Sequence, residues 1–228
     1  MVIVDISAQL ADSMPRYPSP YLPDVRLQPV AKHDREARAV HVLTCGTHVS
    51  THIDAPFHAI PGGKTVDQIP LSQLFGKARI IRLPNRDAGS PVDAADFRRL
   101  NDLQEWEKLI IDTGWASRSW GSAEYFTAGP YLTRDAAQFL ADLPQLHLLG
   151  MDFPNVDSRA DMVLGTPAPN HQILLGRDVV LLENLLNLKA VNDVFLLSTA
   201  PPRLVGADGC PCRASAIFPL VEVGAYLT

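Results

Sequence analysis

The sequence lacks the features that would place the protein in a membrane, in a secretory pathway or on nucleic acid. No run of apolar residues approaches the roughly 18 that a transmembrane helix needs. Met1–Asp5 has neither the basic segment nor the longer apolar run of a signal peptide. The net charge of −5 leaves no basic surplus for binding nucleic-acid phosphates. We therefore expect a cytoplasmic protein with neither membrane nor nucleic-acid partners.

Cysteine is also scarce. The chain has 3 cysteines, Cys45, Cys210 and Cys212, an odd number without the paired spacing of a zinc knuckle. Buried, reduced thiols fit this pattern better than a disulfide framework does. The sequence shows no internal repeat and no low-complexity tract, and we interpret residues 1–228 as a single domain.

The sequence does contain a series of short apolar runs rich in β-branched residues, which are typical of strands. Between some of these runs, Asp93 and Thr133 are expected to cap helices that carry Phe97 and Leu140. Strands interspersed with a few helices predict an α/β or mixed α+β domain. The expected strands are Val2–Ile6, Ala39–Leu43, Ala78–Leu83, Lys108–Ile111, Leu146–Met151, Val179–Leu182, Val194–Leu197 and Phe218–Val223.

One loop-like stretch, Gly114–Pro130, is rich in aromatic side chains among small and polar residues. These aromatics either pack the loop itself or form a lid or pocket wall, since functional loops often carry such side chains. The sequence leaves both alternatives open.

Metal-ligating side chains are most concentrated in Gly46–His58, which holds three of the 7 histidines and one aspartate. Imidazole nitrogen and carboxylate oxygen are the ligands that zinc and similar divalent ions prefer outside thiolate sites. A single histidine is usually a satisfied core or surface residue. Four such groups within one short segment instead predict a metal site.

The spacing within this segment predicts how the chain runs. His48, Ser50, His52 and Asp54 occupy alternate positions, and alternate residues of a strand share one face. His52 and Asp54 would lie roughly 6–7 Å apart along a strand, whereas His48 would lie about 13 Å from His52. We therefore predict a bend, bulge or short turn between Ser50 and His52.

The remaining members of the site are less certain from spacing alone. Pro56 excludes a continuing helix or central strand, so His58 should follow a turn and act on substrate instead of holding metal. A catalytic metal site usually has three or more protein ligands and one open position. The downstream candidates are His171 and Glu183, which ends a predicted strand where α/β folds often place functional groups.

The segment Gly46–His58 is similar to the signature of the cyclase family of metal hydrolases, which includes bacterial kynurenine formamidase and isatin hydrolase. The spacing HxxxHxDxPxH is its most specific part, and the step from His171 to Glu183 also fits. The similarity extends along nearly the whole chain. Its other segments are Thr113–Trp115, Leu149–Asp152 with Asp157, Leu174–Gly176, Glu183–Leu185 and Gly206–Arg213.

The resemblance implies a fold and an assembly. The family fold is a swivelling β/β/α domain of mixed α/β class with a small mixed β-barrel. Members usually form dimers or tetramers, in which a neighbouring subunit can help to wall the site.

The resemblance also implies the ligands and the catalytic group. Members with two zinc ions share an aspartate and a glutamate between them, here Asp54 and Glu183, and His58 would be the general acid/base. We expect two Zn²⁺ ions, with Mn²⁺ as the alternative, because histidine with carboxylate suits both metals. The implied ligands are His48, His52, Asp54, His171 and Glu183.

Two aromatic residues are expected to contact substrate. The family segment Pro-x-Trp/Tyr-Pro-Gly-Asp is represented here by Met14–Pro20, which lacks the Gly-Asp. Its Tyr17 stands where an aromatic often contacts substrate, although a tyrosine packed beside prolines is the alternative. Phe57, inside the signature, is the second expected contact. Asp152 and Asp157 are interpreted as turn residues or supports for the ligands.

The implied function is metal-dependent hydrolysis of a small aryl amide. Zn²⁺ lowers the pKa of its water to about 7, and the metal-bound hydroxide would attack the carbonyl. His58 would protonate the leaving nitrogen, which is otherwise a poor leaving group. N-formylkynurenine, yielding kynurenine and formate, is the leading substrate, and a cyclic amide such as isatin or a lactone is the alternative.

Two other classes remain open. His52, Asp54 and a distant His171 imitate the 2-His-1-carboxylate triad of a non-haem Fe(II) oxygenase, a chemistry without use for His48 or Glu183. A metal that only braces the fold is the other class, but such sites are closed and commonly contain thiolates.

Overall fold

The computed structural model describes residues 1–162 and 168–220. The strands are β1 Val2–Asp5, β2 Arg26–Ala31, β3 Val40–Thr44, β4 His52–Asp54, β5 Phe75–Arg82, β6 Pro91–Val92, β7 Lys108–Asp112, β8 Tyr131–Leu132, β9 Leu148–Met151, β10 Val180–Glu183, β11 Val194–Ser198, β12 Gly209–Pro211 and β13 Ser215–Phe218. The α-helices are α1 His33–Glu36, α2 Leu71–Leu74, α3 Ala94–Arg98, α4 Trp115–Ser119, α5 Ala123–Thr127, α6 Arg134–Ala141 and α7 Pro169–Leu175.

One mixed sheet of 9 strands organises the fold, in the order β1-β13-β11-β5-β7-β9-β10-β4-β12. The central strands β5, β7, β9 and β10 are parallel, and the strands on both flanks are antiparallel. The sheet curls into a half-barrel, as an antiparallel bridge between Ser7 and Leu185 brings the chain after β1 back to the end of β10. Two short pairs, β2–β3 and β6–β8, lie outside this sheet.

The parallel strands are buried on both faces, as their continuous apolar runs predict. Ile110 and Leu182 point into the curl and join an inner core cluster. Leu109 and Leu181 point the other way and join an outer cluster that includes residues of α3, α6 and α7. The alternation of side chains along a strand therefore builds two cores, one inside the curl and one between the sheet and its helices.

Most of the elements expected from the sequence are confirmed. Seven of the eight expected strands correspond to β1, β3, β5, β7, β9, β10 and β11. The Thr133 hydroxyl accepts a hydrogen bond from Ala136 N at 3.2 Å, and the Asp93 carboxylate accepts one from Ala95 N at 3.1 Å, so both caps are in place. The mixed α/β class is also confirmed.

The expected strand Phe218–Val223 is wrong in its position. Strand β13 covers Ser215–Phe218 and ends where Pro219 follows, because proline has no N–H to donate to a neighbouring strand. Residues 221–223 lie outside the described residues. The longest described helix, α6, has 8 residues, well short of the roughly 20 that would cross a bilayer.

Candidate metal centre

The predicted bend before β4 is present. Ser50 has a φ of 58°, in the left-handed region, and the chain from Gly46 to Thr51 forms no strand. Two hydrogen bonds hold the bend: Asn184 Nδ2 donates to Ser50 O at 2.8 Å, and Ser50 Oγ donates to Ala8 O at 2.9 Å. The reversal carries the His48 ring back toward the strand, so that its centroid lies 5.2 Å from that of His52.

Strand pairing places the first ligands on one face of the sheet. In the antiparallel pair of β4 and β10, His52 lies opposite Glu183 and Asp54 lies opposite Leu181. Ile53 and Leu182 point into the inner core, so His52, Asp54 and Glu183 lie on the opposite, helix-covered face. The candidate site is therefore outside the curl, beneath α7.

The ligands predicted from distant parts of the sequence converge there. His52 Nε2 lies 3.3 Å from Asp54 Oδ1 and 3.6 Å from Glu183 Oε2. Helix α7 brings His171 Nε2 to 3.6 Å from Asp54 Oδ2 and 3.9 Å from Glu183 Oε1. All four side chains are buried.

Two groups of potential ligand atoms share Asp54. One consists of His48, Asp54 and His58, the other of His52, Asp54 and Glu183, and within each group the atoms lie within 4.8 Å of one another. The His48 Nδ1 to Asp54 Oδ1 distance is 2.6 Å. Asp54 is thus common to both groups of potential ligand atoms, and His58 belongs to the first.

The carboxylates provide the test of whether a cation fits. Burial raises the pKa of Glu183 well above its ordinary value, and the neighbouring charge of Asp54 raises it further. Glu183 Oε1 is buried and has no hydrogen-bond partner among the described residues. A buried carboxylate oxygen without a donor is costly unless a proton or a cation pairs with it. The donor set of histidine and carboxylate therefore fits a divalent metal ion.

Protons take the place of a cation on two of the histidines. Burial opposes a charge on His48, but Asp54 and a hydrogen bond to Asp208 outweigh it and raise the pKa of His48 to about 10. Burial likewise opposes a charge on His171, while Asp157 and Asp54 raise its pKa to about 10. These raised pKa values reflect the negative charge of the neighbouring carboxylates, which a bound metal ion would also meet.

Asp157 orients His171, one of the predicted ligands. This contact fits the interpretation of Asp157 as a support for the ligands. Its Oδ2 lies 2.6 Å from His171 Nδ1, which leaves Nε2 facing the other ligands. Asp157 Oδ1 accepts a hydrogen bond from Asn170 N at 2.7 Å, so the carboxylate also anchors the start of α7. Asp152 instead accepts hydrogen bonds from the Thr113 N–H and hydroxyl, next to the end of β7.

His58 follows a turn, as Pro56 predicts: a short 3₁₀ helix covers Pro56–His58. The ring is 31% exposed, and its centroid lies 4.1 Å from that of His48. Its Nδ1 lies 3.4 Å from Asp208 Oδ2, the same oxygen that lies 2.8 Å from His48 Nε2. Burial lowers the pKa of His58, and the bond to Asp208 only partly opposes that effect.

Three contributors to the site were not assigned such roles from the sequence. Asp208 lies in the family-like segment 206–213, and Asn184 follows Glu183, but neither belongs to a local pattern of ligands. Tyr125, on α5, donates a hydrogen bond from its hydroxyl to Asn184 Oδ1 at 2.9 Å, and so helps to hold the Ser50 bend. The aromatic stretch Gly114–Pro130 contains the packed helices α4 and α5, so it is not an open loop.

A cavity of about 660 Å³ opens over these ligands. Tyr17 lines it, and Phe126 supplies a wall from the aromatic stretch. Phe57 is 43% exposed and does not line the cavity of this chain. In a 3₁₀ helix consecutive side chains point about 120° apart, so Phe57 and His58 face different ways.

Comparison with known proteins gives consistent matches. The family profile described as "Putative cyclase" matches residues 4–158. Kynurenine formamidase from Bacillus cereus is 32% identical over 214 residues, which is 92% of this chain and 95% of that protein. Kynurenine formamidase from Geobacillus thermodenitrificans is 32% identical over 218 residues, 93% of this chain and 95% of that protein.

Solved structures share the fold. Isatin hydrolase A from Labrenzia aggregata, bound to benzyl benzoate, superimposes with a TM-score of 0.81 at 23% identity, over 94% of this chain and 93% of that one. Isatin hydrolase A from Ralstonia solanacearum gives a TM-score of 0.80 at 21% identity, over 94% and 91% of the two chains. The expected fold is therefore confirmed.

Metal binding should displace protons from the site. His48 and His171, with pKa values raised to about 10, hold protons at pH 8 in the ion-free protein. A histidine that binds a metal ion must lose that proton and be neutral. Titrating Zn²⁺ at pH 8 by calorimetry in two buffers of different ionisation enthalpy should show release of at least two protons per protein. His41→Gln, which changes an exposed histidine, should release as many. Binding without proton release would contradict this account of the site.

Proposed function

The chain belongs to the cyclase family, and we propose that it is a metal-dependent hydrolase of small aryl amides, with N-formylkynurenine as its leading substrate. It would act on a C–N bond other than a peptide bond. Support comes from the curated kynurenine formamidases, 32% identical over more than nine-tenths of this chain. The observation that carries the proposal is the convergence of the predicted ligands and His58 beneath one open cavity.

The metal would be held by the buried donors on β4, α7 and β10 together with His48. We propose two Zn²⁺ ions, with Mn²⁺ as the alternative, because Asp54 belongs to both groups of donors. When bound, such ions polarise a carbonyl and lower the pKa of a coordinated water. The proposed ligands are His48, His52, Asp54, His171 and Glu183.

His58 is the proposed general acid/base. It accepts a proton from the attacking water as the new bond to the formyl carbon forms. It returns that proton to the anilide nitrogen as the C–N bond breaks, leaving formate and an arylamine. Burial lowers the pKa of His58, which keeps the imidazole neutral and able to accept a proton at neutral pH. Its partial exposure to the cavity gives it access to substrate.

Asp208 is the proposed positioning residue for His58. Its Oδ2 lies 3.4 Å from His58 Nδ1, so Nε2 of the ring stays available for substrate. The backbone fixes Asp208, because its carbonyl oxygen accepts a hydrogen bond from Ala55 N at 2.9 Å, directly after β4. A carboxylate that orients an imidazole in this way defines its tautomer and its direction.

The cavity size suits an aryl amide. Pockets for small molecules occupy about 300–1,000 Å³, and this one occupies about 660 Å³. Tyr17 lines it and would stack on or hydrogen-bond to the substrate. A cyclic amide such as isatin, or a lactone, would also fit this volume, and it remains the second candidate because isatin hydrolases share the fold.

We also propose the cytoplasm as the compartment. The curated relatives are bacterial proteins. All 3 cysteines are free thiols, at Cys45, Cys210 and Cys212, and free thiols persist where the environment is reducing.

Metal analysis paired with a turnover screen tests the function. The purified protein should contain zinc or manganese and should hydrolyse formanilides faster than isatin or small lactams. Asp54→Ala should lose the bound ions. His58→Ala should keep them while turnover falls by about 100-fold or more, because a general acid/base is lost. His41→Ala is the matched control. Loss of metal from His58→Ala, with retention in Asp54→Ala, would reverse the proposed roles.

Asp208→Asn tests the positioning role. We expect kcat to fall by about 10–100-fold while KM and metal content stay near those of the wild type, because the substitution weakens the orientation of His58. A residue with a merely structural role would instead lower the melting temperature or the metal content. Unchanged kcat, or loss of metal through the contact with His48, would refute the role.

The β2–β3 hairpin supports the expected oligomer. Among the described strands, β2 and β3 pair only with each other, and an isolated two-stranded hairpin is marginally stable in water. Its apolar side chains are exposed, which is typical of an interaction surface. We propose that a second copy of the chain covers them, in a dimer or a tetramer. The exposed residues are Leu27, Val30, Val40, Val42 and Leu43.

A buried charge on this hairpin should break the assembly. Leu43→Glu is expected to weaken self-association about tenfold or more, as measured by sedimentation or by light scattering during gel filtration, because the interface would bury an unpaired carboxylate. Gln28→Glu adds the same charge to an exposed polar position of the same hairpin and should associate like the wild type. Equal masses for wild type and Leu43→Glu at all concentrations would exclude the hairpin as the interface.

A further inference from the structure

We infer that Arg159 forms a carboxylate-binding site at the rim of the cavity and selects substrates that carry an anionic group away from the scissile amide. The inference rests on the proposed function, since it specifies the substrate class of the same site. It depends on the position of the guanidinium, on its lack of a partner within the described part of the chain, and on the contacts that the other arginine of the cavity already makes.

The position of Arg159 points to a ligand. It lines the cavity that opens over the metal ligands, and its side chain is exposed at the solvent end. With any residue of 1–162 or 168–220 it makes neither a hydrogen bond nor an ion pair. Its charge acts on Tyr17: burial raises the pKa of that phenol, and Arg159 opposes the rise. The guanidinium and the phenol therefore belong to the lining of the same cavity.

Arg16, the second arginine of the cavity lining, is not available in the same way. Its Nε donates to Asp24 Oδ1 at 3.0 Å, and its Nη1 lies 3.3 Å from Tyr17 O and 3.2 Å from Ser19 O. These contacts fix the loop that carries Tyr17. Arg16 thus shapes the wall of the cavity, whereas Arg159 donates to none of the residues that the structure describes.

The carboxylates of the cavity lining have other partners. Asp161 accepts a hydrogen bond from Ser158 Oγ at 2.5 Å. The remaining three contact histidines of the candidate metal centre, and bound cations would neutralise them. These three are Asp54, Glu183 and Asp208. An anion that enters the cavity would therefore meet a guanidinium that no residue of 1–162 or 168–220 pairs with.

Guanidinium chemistry then defines the substrate class. Arginine pairs with a carboxylate through two parallel N–H···O bonds, which give direction as well as attraction. With the scissile amide beside His58, a carboxylate on a side chain of the aryl ring would extend toward Arg159. The site would thus prefer a formanilide that carries an amino-acid side chain over a neutral cyclic amide.

A matched substrate pair tests the inference. N-formylkynurenine carries the carboxylate, and its α-carboxamide is neutral but otherwise the same. Wild-type enzyme should prefer the acid, and Arg159→Met should reduce that preference in kcat/KM about tenfold, mainly through KM. Arg159→Lys should recover part of it, because lysine keeps the charge but not the paired donors. Arg177→Met removes one exposed arginine outside the cavity and should leave the ratio unchanged.

The outcomes separate this inference from the proposed function. If Arg159→Met lowers kcat/KM equally for both substrates, or for neither, Arg159 does not bind the substrate carboxylate and the inference is wrong. If the metal-loaded wild type hydrolyses neither substrate, the proposed function fails, and binding of kynurenine and its carboxamide is measured by calorimetry instead. Tighter binding of the acid that disappears in Arg159→Met would still establish the anion site, and equal binding would overturn it.

Discussion

Two carboxylates buried side by side, Asp54 and Glu183, impose the condition that the rest of the site meets. Each carboxylate would be strongly disfavoured alone in this environment, and their mutual repulsion adds to that cost. The two carboxylates are surrounded by His48, His52 and His171. Even so, Glu183 Oε1 has no donor among the described residues, which leaves an excess of negative charge at this carboxylate. A divalent cation resolves this excess, and in the ion-free protein protons on the histidines do so.

The sheet supplies the rigidity that this arrangement requires. β10 is a central parallel strand buried on both faces, and β4 is added antiparallel at its carboxyl end, so His52 lies directly opposite Glu183. β12 then pairs with β4 and fixes the backbone that carries Asp208. The site thus lies at the end of a strand, and backbone hydrogen bonds hold its residues in register. This pairing limits how far electrostatic repulsion can move Asp54 and Glu183 apart.

Local spacing made much of this site predictable. The alternation from His48 to Asp54 required a reversal near Ser50, since a straight strand would hold His48 too far away, and the positive φ of Ser50 is that reversal. The parallel strands were also predictable, because burial on both faces leaves long apolar runs in the sequence. A strand such as β12, with 3 residues and no alternating polar partners, gives no period to detect.

Long-range contacts were not predictable from pattern. Asp208 meets His58 across 150 positions of sequence, and no local spacing indicates such a pair. His171 and Glu183 were candidates from the sequence alone, but only the resemblance to a family in which such residues recur assigned them to this site. The 43% exposure of Phe57, which lies in the same motif as His58, was likewise not predictable from its position in the sequence. The orientation of neighbouring side chains depends on backbone conformation, which the motif alone does not specify.

Environment, and not residue type, separates the roles of the histidines. His48 contacts two carboxylates and His171 contacts three, so their imidazoles are strongly basic and are suited to balance or exchange charge with a cation. His58 has Asp208 as its carboxylate partner, at the longer distance of 3.4 Å, and burial lowers its pKa. A histidine that is neutral at working pH can take a proton from water. The difference in environment therefore supports the proposed division, in which His48 and His171 bind metal and His58 transfers protons.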